Sequence, residues 1–256
     1  MTDATTPSTT GRVLLVGGGP GDAGLLTVAG RDALAAADVV ITDRLAPLAA
    51  IAEHAPDAEV VHVGKIPRGE FTPQERINEL LVEHARAGRT VVRLKGGDGY
   101  LFGRGGEEWL ECTAAGIPVD IIPGVSSAFA VPALAGIPVT HRGLSQGVAV
   151  VSGHVSPEDP RSEVDWQALA TSKLTIVVLM GVATLGSIAE ALIAAGLPAD
   201  TPAACIADGA GPKQRSVRAP LSQIAAAADE GGFAPPAITV VGDVVDALDP
   251  SAHLTP

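Results

Sequence analysis

The chain has little cysteine, no apolar run of membrane-spanning length and no excess of positive charge, and each lack excludes something. Cys112 and Cys205 stand alone, with no Cys or His at metal-ligand spacing, so neither a disulfide framework nor a metal site organises the fold. Both read as small buried apolar residues. Apolar residues make up 46% of the 256, yet no stretch approaches the roughly 18 uncharged apolar residues that a transmembrane helix needs. The first ten residues are Thr-rich with a single Asp and no apolar stretch, which predicts a disordered tail rather than a secretion signal, and a cytoplasmic location. A formal charge of −12 excludes a nucleic-acid surface of the usual kind, which needs a basic stripe to displace counterions from phosphates.

Two enzyme motifs are also missing. No Gly-x-x-x-x-Gly-Lys-Ser/Thr occurs, so a P-loop nucleotidase is excluded in its usual form. Gly124-Val125-Ser126-Ser127-Ala128 lacks the second glycine of a nucleophile elbow, which leaves Ser126 and Ser127 as hydrogen-bonding or helix-capping loop residues.

What the chain does have is turn residues. Thirty glycines and 20 prolines cluster between apolar runs and Ala-rich helical patterns, the signature of an α/β protein. Strands are predicted over 12–16, 39–42, 59–63, 90–94, 119–122, 148–151, 175–179, 203–207 and 238–241, the first four near-continuously apolar as in a sheet covered on both faces. Helices are predicted over 25–37, from Pro73 to 87, and over 125–134, 182–195 and 221–228. Thr72 can cap the second of these with Glu75 reaching back, and Gly88 supplies a left-handed stop. The simplest organisation is a tail over 1–10, an α/β domain over 11–137, a connector over 138–145, a second α/β domain over 146–248 and a tail over 249–256.

Chemistry concentrates in the loops. Gly17-Gly18-Gly19-Pro20-Gly21-Asp22 follows a strand and opens a helix, as a dinucleotide-binding loop does. The third glycine of that fingerprint is replaced by Asp22, which puts negative charge where a pyrophosphate would sit, and Pro20 removes an N–H from the cradle. The densest segment runs from Val91 to Glu108, with six glycines within eleven residues after a strand and Asp98 at the strand's C-terminal edge, where open α/β sheets bind ligands. Arg44, Lys65, Arg68, Arg93, Lys95, Arg104 and Arg142 lie in or beside the Gly-rich loops, which predicts a locally basic loop face suited to an acidic small molecule.

Taken in order, Gly19-Pro20-Gly21-Asp22, Asp43-Arg44-Leu45, Val63-Gly64-Lys65, the 91–108 segment, Pro123-Gly124-Val125-Ser126-Ser127-Ala128, Gly136 to Arg142, Met180-Gly181 and Gln214-Arg215 resemble the uroporphyrinogen-III C-methyltransferases, within the tetrapyrrole methylase family. The resemblance extends from Val13 to Val245. It implies the class III methyltransferase fold, two α/β domains with an interdomain cleft, and a homodimer. It also implies S-adenosylmethionine as methyl donor with no metal, and double C-methylation of uroporphyrinogen III at C2 and C7 to precorrin-2, via precorrin-1, in cobalamin or sirohaem biosynthesis. By the same resemblance Pro20, Gly96, Gly97, Asp98, Leu101, Ser126, Ser127, Met180 and Gly209 contact S-adenosylmethionine, and Asp43 and Lys65 match a proton acceptor and a proton donor.

On chemical grounds Asp43 can take a proton or stabilise positive charge on the pyrrole. An unperturbed lysine, with a pKa of about 10.4, is a poor acid near neutrality, so Lys65 suits an electrostatic role better. Arg44, Arg104 and Arg142 are candidates for the eight carboxylates of the macrocycle, with structural salt bridges as their alternative. Thr42, Gly99, Tyr100 and the Asp208-Gly209 pair depart from the family pattern, and Gly99 predicts a looser loop. The length predicts a stand-alone transferase. Competing readings are a sister precorrin methyltransferase, a dinucleotide-dependent oxidoreductase and a non-catalytic S-adenosylmethionine-binding module.

Overall fold

The computed structural model describes residues 10–64 and 72–248. The chain divides into two compact units, Met1–Ser126 and Ser127–Pro256. The division falls ahead of the 138–145 connector, because the helix opening at Ser127 packs on strands of the second unit.

The first unit is a parallel sheet of β1 (Arg12–Gly17), β2 (Val39–Thr42), β3 (Glu59–His62), β4 (Thr90–Lys95) and β5 (Val119–Ile122), in the order β3-β2-β4-β1-β5. Parallel neighbours require crossovers, and the helices between strands supply them. α1 (Val28–Ala35) and α2 (Leu48–His54) cover one face through Ala33, Leu34, Ala50 and Ile51, packed on Leu14, Val16, Val40, Val92 and Leu94. α3 (Gln74–Arg86) and α4 (Gly105–Ala114) cover the other through Ile77, Leu81, Ala85 and Cys112, packed on Val13, Leu15, Val39, Ile41 and Val91. Adjacent residues of one strand thus feed opposite cores, which is why the central strands read as continuous apolar runs. The expectation of two-sided cover fails for β3, an edge strand whose residues are mostly exposed.

The second unit carries a mixed sheet, β6-β7-β10-β8-β9, of β6 (Val148–Ser152), β7 (Thr175–Leu179), β8 (Pro202–Ala207), β9 (Arg215–Pro220) and β10 (Ala237–Val241). Only β6 and β7 pair in parallel. α6 (Trp166–Thr171), α7 (Leu185–Ala194) and α8 (Ile224–Glu230) bury Trp166, Leu185, Ile188, Leu192 and Ile224 against Ile176, Val178, Cys205 and Val241. α5 (Ser127–Leu134), with Pro132 inside it, contacts β7 and β10.

Local chemistry explains where the sequence reading missed. The helix expected over 25–37 breaks at Thr27, whose side chain accepts from Gly30 N at 3.1 Å and restarts it as α1, while Asp22 caps a preceding turn of 3-10 helix by accepting from Gly24 N at 2.8 Å. The capping box expected at Thr72 and Glu75 does not form. Pro73 occupies the cap without a side-chain bond, and the helix begins at Gln74. Its other end is as expected: Gly88 adopts φ +83, Gly88 N donates to Ala85 O and Arg89 N to His84 O. α2, α4, α6 and β9 were not anticipated. Among the described residues no helix is long and apolar enough to cross a membrane.

Both cysteines are fully buried. Burial, with Glu108 and Glu111 adding, pushes the Cys112 thiol up to about 11, and burial raises Cys205 as well. A thiol reagent at pH 8 is therefore expected to label neither in the native protein and both after denaturation; rapid labelling of the folded chain contradicts this packing.

Candidate functional site

The parallel strands of the first unit end on one edge, from which the segments 18–22, 43–47, Gly64, 96–104 and 123–126 depart. β1 and β4 are neighbours there, and the helices that follow them, α1 and α4, lie on opposite faces. The chain diverges between these two strands, at the topological switch point where open α/β sheets bind ligands.

The loops at this point interlock through glycine. Gly97 N donates to Gly19 O at 2.6 Å, and Gly19 N to Gly97 O at 3.1 Å. A Cβ on Gly17 would stand 2.4 Å from Gly124 N, one on Gly124 2.3 Å from Gly97 O, and one on Gly96 2.7 Å from Leu45 O. No side chain fits at those separations, so the first reason for these glycines is the packing of one loop on the next. Asp98 ties the assembly: Oδ2 accepts from Gly124 N and Oδ1 from Tyr100 N, both at 2.9 Å. Pro20, next to bridged Gly19, and Leu101, whose N–H donates to Asp98 O, are half-buried at this edge. Gly99 does not simply loosen the segment, since its carbonyl accepts from Gly105 N at 3.0 Å at the start of α4.

Asp43 sits at the end of β2 with its side chain 27% exposed. Its Oδ1 accepts from Leu45 N at 3.0 Å, closing a tight turn, and its Oδ2 receives Arg93 Nη2 at 3.4 Å. Arg93 belongs to a buried charge cluster. Glu108 Oε1 accepts from Arg93 Nε at 2.9 Å, Lys95 Nζ at 2.7 Å and Gln74 Nε2 at 3.3 Å, while Glu108 Oε2 has no partner. Arg93, Lys95 and Glu108 are 3%, 4% and 0% exposed. Burial, reinforced by Arg93, lowers the Lys95 pKa, and Glu108 opposes that shift.

This geometry corrects the expected basic face. Arg93 and Lys95 point into the unit and are committed to carboxylates, so neither offers its charge at the surface. Arg104 is exposed, at φ +57 just ahead of α4, but its Nε and Nη2 both engage Glu107 at 2.7 Å. Arg44, beside Asp43, is exposed and pairs with no carboxylate among the described residues. Lys65 and Arg68 lie outside the described residues.

The other expected positions lie in the second unit, apart from Ser126, the last residue of the first. Met180 follows β7 at φ +59 and is 48% exposed, and a Cβ on Gly209 would lie 2.4 Å from both methyl carbons of Val131 on α5. Gln214 fastens the loop containing Gly209: Ala210 N donates to its Oε1 at 2.8 Å, and its Nε2 donates to Leu134 O at 3.2 Å. Ser126 and Ser127 flank the division between the units, and Arg142 is exposed at the tip of a turn closed by His141 and Ser145. Among the described residues, five of the six non-glycine positions with positive φ, Phe102, Arg104, Met180, Asp208 and Ala210, fall in or beside loops that sequence marked as functional. Strained backbone of this kind collects at binding sites. Glu108 and Gln74 were missed as site residues, the first because Glu107-Glu108 at the end of a glycine-rich loop carries no local pattern that marks one of the pair as buried. Among the described residues no group of three metal-ligating side chains occurs.

Gly124→Ala is expected to destabilise the protein by about 1–3 kcal/mol through overpacking. Gly106→Ala, on α4 with nothing within 4 Å of the new Cβ, is expected to be neutral or to stabilise by up to about 1 kcal/mol. Urea denaturation of the pair checks both, and equal stability contradicts the interlock.

Residues 12–225 match the family model of tetrapyrrole (corrin/porphyrin) methylases. The S-adenosyl-L-methionine-dependent uroporphyrinogen III methyltransferase of Methanosarcina barkeri is 46% identical over 93% of this chain and 94% of its own length. Siroheme synthase 1 of Klebsiella pneumoniae is 44% identical over 92% of this chain, which spans only 49% of that longer protein. The uroporphyrin-III C-methyl transferase of Thermus thermophilus, solved with S-adenyl homocysteine, superposes with a TM-score of 0.78 at 42% identity, covering 93% of this chain and all of that one. With the switch-point loops in place and matches running nearly end to end, the chain belongs to the tetrapyrrole methylase family.

Proposed function

We propose that this protein transfers methyl groups from S-adenosylmethionine to C2 and C7 of uroporphyrinogen III, giving precorrin-2 by way of precorrin-1. The observation that carries this reading is the 46% identity, spread over almost the whole of both chains, to a relative named for that activity. The loop architecture agrees, since Asp43 stands partly exposed at the edge where a parallel sheet binds its ligand.

S-adenosylmethionine supplies an electrophilic methyl group on a sulfonium. The residues expected to hold it are compatible with that task. Asp98 uses one lone pair of each oxygen on the loops, which leaves further acceptor capacity for ligand hydroxyl or amino groups. Met180 and Leu101 offer apolar surface, and Pro20, Gly96, Gly97, Ser126, Ser127 and Gly209 are assigned as further contacts on the strength of the family resemblance.

In the reaction a pyrrole carbon forms a bond to the methyl carbon as the S–CH3 bond breaks, and its electron pair passes to sulfur, leaving neutral S-adenosylhomocysteine. The ring is left with a positive charge that it discharges by losing a proton. Asp43, fixed by Leu45 N and Arg93, presents a carboxylate to stabilise that charge or receive that proton. Arg44 is the first candidate for a substrate carboxylate, being exposed beside Asp43. Arg104 serves only by exchanging Glu107 for the substrate. Arg142, and Lys65 from its sequence position, complete the proposed set, in a homodimer inferred from the family resemblance and a cytoplasmic location inferred from composition.

Incubation with uroporphyrinogen III and S-adenosylmethionine is expected to yield a product heavier by two methyl groups. Asp43→Ala is expected to lower kcat by about 100-fold or more, and Arg44→Ala to raise KM for the tetrapyrrole about tenfold. No mass gain beside an active control enzyme overturns the reading, and wild-type turnover by both folded variants removes the two assignments.

A further inference from the structure

Glu108 is fully buried, carries a charge, and has no part in the reaction as set out above. Around it Arg93 and Lys95 bring two positive charges, Glu108 one negative charge, and Asp43 the second. Asp43 is the end of this cluster that reaches the sheet edge, while the other three side chains are at most 5% exposed.

The donors of Arg93 are distributed so that the guanidinium has one orientation. Nε goes to Glu108 Oε1, Nη1 to Leu94 O at 3.1 Å and Ile41 O at 3.4 Å, and Nη2 to Asp43 Oδ2. Glu108 is itself held from three sides, by Arg93, by Lys95, and by Gln74 of α3, whose Nε2 also donates to Asn78 Oδ1 at 3.0 Å. A chain of contacts therefore runs from two helices through Arg93 to the carboxylate at the strand end. Stability alone does not call for such an arrangement, because apolar residues of similar volume usually serve a core as well or better.

We propose that Glu108 is a positioning residue for Asp43, acting through Arg93, with Lys95 and Gln74 holding Glu108 in place. The proposal rests on the reading of Asp43 as a reacting group. Replacing the buried carboxylate releases Arg93 Nε and leaves two cations facing each other, so the guanidinium shifts and Asp43 loses its fixed pose. The binding of either ligand is not the step affected.

The test compares wild type, Glu108→Gln, Glu108→Asp and, as a control on the same helix, the exposed Glu111→Gln. Melting curves, calorimetric affinity for S-adenosylhomocysteine, and kcat and KM for uroporphyrinogen III are measured on each. Glu108→Gln is expected to melt cooperatively, to keep its S-adenosylhomocysteine affinity and KM within about threefold, and to lose about 100-fold in kcat, the scale set by small displacements of a reacting group. Glu108→Asp, which keeps the charge, is expected to recover about tenfold of that loss, and Glu111→Gln to match wild type. A folded Glu108→Gln within about twofold of the wild-type kcat overturns the proposal, as does a loss shared equally by affinity, KM and kcat. Should Glu108→Gln not fold, Glu108→Asp decides by the same split between kcat and KM. A wild type that fails to methylate uroporphyrinogen III overturns the function proposed above instead. In that case crystal structures decide the positioning role: an Arg93–Asp43 contact unchanged in Glu108→Gln or Glu108→Asp overturns it, and a displaced one supports it.

Discussion

A single carboxylate, Glu108, shared by Arg93 and Lys95 in the interior of the first unit, is the interaction on which the arrangement of the rest depends. Two cations on alternate residues of one buried strand face the same side, and without a counter-charge they repel each other where water cannot screen them. Removing one partner of such a buried group costs about 3–5 kcal/mol, a large fraction of what a domain has in reserve. The lowered pKa of Lys95 shows the same tension, with burial and Arg93 acting against the charge and Glu108 acting for it. α4 must begin where it does for Glu108 to reach the strand. That start depends in turn on Gly105, where a Cβ would stand 2.6 Å from Gly99 O.

A second constraint, steric rather than electrostatic, shapes the sheet edge. Gly17, Gly97 and Gly124 come from the ends of three neighbouring strands: a side chain on Gly17 or Gly124 would collide with the backbone of the other loops, and Gly97 adopts φ +67, which side chains disfavour. The resulting platform is closely interlocked, which suits a reaction that requires aligned reactants. The glycines that suggest a flexible phosphate cradle in the sequence are instead fasteners, and Asp22, the residue that spoils the dinucleotide fingerprint, serves as a helix cap.

Much of the fold is legible in the sequence. Apolar runs locate nine of the ten strands found among the described residues, and Gly88 marks a helix stop that the hydrogen bonds bear out. β9 escapes because Arg215 to Pro220 is a polar edge strand with a proline, and α4 escapes because its first two residues are glycines inside a glycine-rich loop. At the site, sequence order places Asp43, Gly96, Gly97 and Asp98 at strand ends, but it treats every arginine and lysine near a loop as surface charge. Only burial separates Arg93 and Lys95 from Arg44, and burial depends on Glu108, which no local pattern links to them. Long-range electrostatic partners are invisible to periodicity because they are set by which helix covers which strand.

A double-mutant cycle on kcat, joining Glu108→Gln to Asp43→Asn, asks most directly whether the buried cluster acts through the carboxylate at the strand end. If it does, Glu108→Gln costs little once Asp43 is already neutral, and the double variant is about as slow as Asp43→Asn alone. Two effects that simply multiply, each at full size in the presence of the other, would contradict the account.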